Sequence, residues 1–133
     1  QEEENQDLKS LNFPFDVNDL IESIASINNN VVVVLQNGSA VEMPWINDVK
    51  GILEPYFCGE SGGKATVNIL FGLVNPSGHL GETFPINLSD NPTYYNFPGK
   101  GDKVKYSEGL FVGYRYYDTY DVNVLFPFGF GLS

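Results

Sequence analysis

The sequence predicts an α/β protein built around a mostly parallel sheet. Residues 16–27 have helical periodicity, residues 31–35 form an unbroken apolar run, and strand-like and helical segments continue to alternate up to Phe71. Helices that alternate with strands are typical of doubly wound sheets. Beyond Asn75 the chain is rich in aromatic residues, glycine and proline, with few helical signals.

The first predicted helix covers residues 16–27. Apolar residues recur there at steps of three and four positions, which is the spacing of one helix face. These residues are Val17, Leu20, Ile21, Ile24 and Ile27. Asp16 is a suitable N-cap, and Asp19 adds a negative charge in the first turn.

A strand is predicted at residues 31–35, which are four valines and a leucine. Because the run is unbroken rather than alternating, we expect the strand to be covered on both faces, as in parallel sheets. The polar turn at residues 36–39 follows it. Ligand sites of open α/β folds usually lie at this carboxyl end of a strand.

A second helix is predicted to begin at Pro44, which is favoured at the first helical position. Its inward side chains would be Trp45, Ile46, Val49 and Leu53. A short strand at residues 52–57, a glycine-rich turn at residues 58–63 and a helix at residues 65–71 would follow. Gly72 would end that helix as a C-cap.

The residues from Val112 to Tyr116 alternate as one face of a strand does. Arg115 lies among tyrosines in this stretch. The cluster either stacks against a sugar ring or has a structural role, with the structural role favoured.

Composition excludes several functions. The formal net charge is −10 and only seven Lys and Arg residues are present, which argues against nucleic-acid and anionic-membrane binding. The single histidine, His79, and the single cysteine, Cys58, cannot form a usual zinc site. Cys58 has no disulfide partner within the chain, and we expect a buried thiol there. Residues 1–10 are acidic, unlike a signal peptide.

Five blocks of the sequence read VVVLQNGSAVEMPW at residues 32–45, GESGG at residues 59–63, NPSGHLGETFP at residues 75–85, YSEGLFVGYRYYD at residues 106–118 and LFPFGFGLS at residues 125–133. In this order they resemble the C-terminal α/β sandwich domain of family 3 glycoside hydrolases, the β-glucosidase group. The resemblance implies an incomplete three-layer α/β/α sandwich. It also implies that residues 1–133 are one partial domain, whose N-terminal barrel lies outside this chain.

The resemblance places Glu4 at the family's acid/base position. Members carry that glutamate in a segment like E-G-[FY]-D-R-x-x-L-x-L-P, and Asp7, Leu11 and Pro14 agree with it. The glycine, aromatic and arginine of the pattern are replaced by Asn5, Gln6 and Leu8. On a simpler interpretation, Glu4 belongs to a solvated acidic run at the N-terminus.

Members of this family are retaining glycosidases that need no cofactor or metal, and their nucleophile is an aspartate on the barrel. The resemblance therefore implies a carbohydrate partner, a β-glucoside, and a catalytically silent isolated chain. The alternative is a non-catalytic module that binds glycans or gives structural support. A nucleotide-binding protein is a weaker alternative, because residues 59–66 lack the spacing of a phosphate loop.

An unpaired edge at residues 31–35 predicts self-association.

Overall fold

The structure is a computed structural model that describes residues 8–132. These residues divide into two compact units, of which the first contains residues 8–78 and Leu132 and the second contains residues 79–131. Helices and small sheets occur together, which agrees with the α/β class. Within the described residues, no helix is long and apolar enough to span a membrane.

The first unit begins with helix α1, Val17–Ile27, which confirms the predicted helix. Ala25 is buried in it, whereas Leu20, Ile24 and Ile27 are exposed. Asp16 occupies the N-cap but makes no side-chain capping hydrogen bond. Periodicity therefore located the helix correctly, but only part of its apolar stripe is covered.

Strands β1, Val32–Val34, and β2, Gly51–Leu53, form a parallel pair, in which Val33 lies opposite Ile52. The expectation that β1 is covered on both faces is wrong. Val32 is 52% exposed and Val34 is 37% exposed, whereas Val33 between them is partly buried. The unbroken apolar run thus conceals an alternating burial pattern, because no described element packs over the second face.

The helix predicted from Pro44 is absent from the described structure, and its place is taken by turns. The N–H groups of Ile46 and Asp48 donate to the carbonyls of Met43 and Trp45, at 3.1 and 2.9 Å. Lys50 N–H then donates to Val31 at 2.8 Å and so joins the sheet. Strand β2 begins at Gly51, only seven positions after Pro44, so the predicted helix has no room to extend to Leu53. Leu53 is instead the last residue of β2.

Most of the buried side chains of the first unit follow β1 in sequence. Trp45 is fully buried, and its indole N–H donates to the Asn18 side chain at 2.9 Å. The other buried apolar residues of this unit are Ala25, Leu35, Ala40, Val41 and Met43. Burial of these side chains supplies the apolar contribution to the stability of the unit.

Helix α2, Gly62–Leu70, starts three residues before its predicted beginning. Gly72 ends it in the left-handed region at φ 72°, as predicted. Its N–H donates to Ile69, and the N–H of Leu73 donates to Asn68, which is the Schellman pattern. Cys58, expected to be buried, is exposed instead, in the turn before α2.

In the second unit, strand β3, Phe84–Pro85, pairs antiparallel with β4, Val124–Phe126. A 3-10 helix, Leu88–Asp90, lies between them in sequence. Helix α3, Tyr114–Thr119, occupies the stretch predicted as a strand, so that prediction is wrong. Gly113, at φ 58° and ψ −131°, breaks any strand there, and α3 then buries Tyr117.

Candidate functional site

The segment after the carboxyl end of β1 is the location that the sequence favoured for a site. Asn37 is buried there, and its side-chain N–H donates to the carbonyl of Ser39 at 2.8 Å. The Asn37 side-chain oxygen has no hydrogen-bond partner among residues 8–132. The carboxamide therefore closes the turn and leaves one buried acceptor without a described donor.

The segment that follows Glu4 is joined to this same region. The backbone N–H of Glu42 donates to the carbonyl of Leu11 at 2.9 Å. Leu11 is thus held beside residues that follow β1. The sequence offered no local signal for this contact, because its partners are far apart in the chain.

Glu4, the predicted acid/base, lies outside the described residues, so its position stays a prediction. Leu8 is described and is 47% exposed at the position where the family pattern has arginine. A leucine there provides neither a charge nor a hydrogen bond for a neighbouring carboxyl group.

His79 has a structural contact in the second unit. Its Nδ1 lies 3.0 Å from the carbonyl oxygen of Gly129. A carbonyl oxygen only accepts hydrogen bonds, so Nδ1 carries the hydrogen in this contact. Backbone bonds of Leu80 with Gly129 and Phe130 continue the pairing. The histidine therefore fixes a loop.

The Arg115 cluster belongs to α3. The guanidinium carbon of Arg115 lies 5.4 Å from the ring centroid of Tyr114, in cation–π geometry. The Tyr114 ring stacks on Phe128 with centroids 5.0 Å apart. Arg115 borders an open cavity of about 570 Å³. Sequence reasoning missed this cavity, because it considered only Arg115 and the neighbouring tyrosines, whereas the lining also includes Leu110 and Thr119.

A second cavity, of about 370 Å³, lies in the first unit between α1 and the segment before β2. Its lining includes Glu22, Asp48 and Lys50. Lys50 directly precedes β2, so the cavity lies toward the amino end of that strand, away from the edge that usually binds ligands. Within the part of the chain that the structure describes, no three His, Cys, Asp or Glu side chains are grouped to hold a metal.

A strongly shifted pKa belongs to a buried tyrosine of α3. Burial raises the pKa of Tyr117 to about 12, with further contributions from the charges of Asp90 and Tyr116. The phenol is therefore protonated throughout the physiological pH range, which excludes a role as a tyrosinate base.

Residues 1–114 match the family model described as "Glycosyl hydrolase family 3 C-terminal domain". The chain is 58% identical over 132 residues to a thermostable β-glucosidase B from Acetivibrio thermocellus. It is 47% identical over 133 residues to an exo-α-(1→6)-L-arabinopyranosidase from Bifidobacterium longum. Each alignment covers 99% of this chain and 18% of the relative, so the chain spans about a fifth of these relatives.

The fold also matches a solved enzyme. A β-glucosidase from Kluyveromyces marxianus, crystallised in complex with glucose, superimposes with a TM-score of 0.91 at 38% sequence identity. The match covers 94% of this chain and 15% of that enzyme. Sequence and structure therefore point to the same group of proteins.

Proposed function

The chain belongs to the glycosyl hydrolase family 3 C-terminal domains, and we propose that it forms part of a retaining β-glucosidase. The reaction would be hydrolysis of terminal, non-reducing β-D-glucosyl residues. The observation that carries the proposal is the 58% identity to a thermostable β-glucosidase over nearly the whole chain.

In this proposal, Glu4 is the general acid/base. It protonates the oxygen of the leaving group and then activates water to release the sugar. The Leu11–Glu42 hydrogen bond supports the assignment, because it joins the segment downstream of Glu4 to the region after β1.

The second carboxyl group would come from polypeptide outside residues 1–133. Retaining glycosidases need two carboxyl groups about 5–5.5 Å apart, one of which attacks the anomeric carbon. We assign that nucleophile to an aspartate on an N-terminal barrel. Glu4 alone cannot form the glycosyl-enzyme intermediate, so the chain by itself would be inactive.

The three-layer α/β/α sandwich also belongs to the proposal. The parallel pairing of β1 with β2 supports a mostly parallel sheet of which the chain holds a part. The exposed faces of Val32 and Val34 are surfaces on which a further layer would pack. Residues 1–133 would then be one partial domain of the whole enzyme.

The first experiment is an assay of the purified chain with an aryl β-glucoside and an aryl α-L-arabinopyranoside. We expect no hydrolysis above the buffer background with either substrate. The second substrate is included because a relative with 47% identity is named for it. Turnover by the chain alone would contradict the assignment of the nucleophile to another part of the polypeptide.

The second experiment tests Glu4 in a polypeptide that joins this sequence to its barrel. Loss of a general acid/base costs about 10²–10⁴-fold in rate. Glu4→Gln should therefore suppress hydrolysis of substrates with poor leaving groups far more than hydrolysis of activated aryl glucosides. Glu3→Gln, which removes the adjacent carboxyl, is the matched control and should retain activity. Equal losses on both substrate types would refute the acid role.

The second candidate is a non-catalytic module for glycan binding or structural support. The replacement of the pattern's arginine by Leu8, which is half exposed, favours it. The coding sequence upstream of Gln1 distinguishes the two candidates. A barrel with its aspartate nucleophile in frame would support the enzyme, whereas an upstream stop codon followed by a genuine start site would support the module.

A further inference from the structure

The open cavity beside α3 has the dimensions of a small-molecule site. Its volume of about 570 Å³ falls within the roughly 300–1,000 Å³ that is typical of ligand pockets. One part of the lining is apolar or aromatic, and the other part is polar. The lining residues are Leu110, Phe111, Tyr114, Arg115, Asp118 and Thr119.

The two aromatic rings of the cavity are held by other rings. Phe111 makes an edge-on contact with Tyr120 at 5.6 Å, and Tyr114 stacks on Phe128 at 5.0 Å. The helix that carries Tyr114 is itself anchored by the buried Tyr117. The rings are therefore oriented before a ligand arrives, which lowers the entropic cost of binding.

The polar groups of the cavity match a neutral ligand with several hydroxyl groups. Arg115 supplies donors, the Asp118 carboxylate supplies acceptors, and the Thr119 hydroxyl supplies both. The charges of Arg115 and Asp118 cancel, so the cavity selects neither anions nor cations, and the overall charge of −10 further disfavours anions.

We propose that this cavity is a non-catalytic saccharide site on the second unit. Carbohydrates present hydroxyl groups at their edges and C–H groups on their faces, and the cavity offers hydrogen-bonding partners and aromatic rings to match. The chemical class, a neutral β-glucoside, rests on the proposed function. The described residues that line the cavity all belong to residues 110–119 of the second unit. Leu110 is 83% exposed and Phe111 39% exposed, so the site is shallow and binding should be weak.

The test is a titration of the isotopically labelled full chain with cellobiose, followed by two-dimensional amide NMR. Amide signals are chosen over tryptophan fluorescence because Trp45 is fully buried and does not line the cavity. We expect saturable shifts confined to the amides of the lining residues and their neighbours. Phe111→Ala should weaken binding roughly tenfold, because one ring contact is lost. Asp118→Asn, which changes charge but hardly changes shape, should weaken it as well.

Two matched variants separate this inference from the proposed function. Tyr106→Ala removes an 89% exposed ring outside the lining and should leave cellobiose binding unchanged. Glu4→Gln should also leave cellobiose binding by the chain unchanged, although the same substitution in a polypeptide joined to the barrel should suppress hydrolysis. Absence of saturable shifts would overturn the inference, as would shifts that persist in Phe111→Ala. Shifts at the cavity that depend on protein concentration without sugar would overturn it too, because they would assign the surface to self-association.

Discussion

The indole N–H of Trp45 donates a hydrogen bond of 2.9 Å to the side-chain oxygen of Asn18. Trp45 is completely buried, and Asn18 lies in the first turn of α1. The bond thus fastens the helix to the segment that follows β1. It also satisfies the one polar atom of the largest buried side chain in the first unit.

We expect Asn18→Ala to destabilise the protein by about 1–3 kcal/mol, because the indole N–H would stay buried without an acceptor. Chemical denaturation followed by tryptophan fluorescence would measure the loss directly at Trp45. Ser23→Ala, an exposed change on the same helix, should alter the free energy of unfolding very little. Equal stability of the two variants would mean that the bond contributes nothing.

Two glycines of the α2 region should respond to alanine with opposite signs. Gly72 has φ 72°, so Gly72→Ala should cost about 1 kcal/mol, although no atom lies near the added methyl group. Gly63 lies within α2 and also has open space around it, so Gly63→Ala should be neutral or stabilising by up to about 1 kcal/mol. Thermal denaturation of both variants measures the difference, and a matching change in both would contradict the left-handed assignment of Gly72.

The raised pKa of Tyr117 predicts alkaline sensitivity. The phenol has an ordinary pKa of 10.0 and a folded pKa of about 12, so the folded state holds its proton more tightly. Its contribution to stability is complete below pH 10 and is lost as the pH rises from 10 through 12. Tyr117→Phe should flatten the dependence of the unfolding free energy on pH in that range. Tyr106→Phe, at an exposed ring, is the control and should leave the slope unchanged.

The exposed face of β1 predicts self-association. Val32 and Val34 present apolar surface on a strand of a two-stranded sheet. In natural proteins, a charged side chain such as lysine on an edge strand discourages pairing with another chain. Sedimentation velocity over a concentration series should show oligomers that Val34→Lys reduces. Ser23→Lys adds the same charge on α1 and should not reduce them. A protein that stays monomeric at every concentration would contradict the prediction that β1 mediates self-association.

Local sequence was sufficient for features whose causes are local. The periodicity of residues 16–27 predicted α1, and Gly72 predicted the end of α2, because helix spacing and left-handed backbone depend on neighbouring residues. The motif blocks identified the family, since the match covers residues 1–114. The sequence also showed that Asn5, Gln6 and Leu8 depart from the family pattern beside Glu4.

Contacts between distant residues decided the rest. Trp45 lies in successive turns because Asn18, 27 positions away, accepts its N–H and because Lys50 must reach the sheet. The alternation from Val112 to Tyr116 is typical of a strand, yet these residues lead into a helix. Gly113 is the N-cap of that helix, and Tyr117 is buried within it. Burial depends on which elements meet in space. For that reason, the sequence located α1 and the end of α2, whereas only the tertiary structure decided which of their faces are covered.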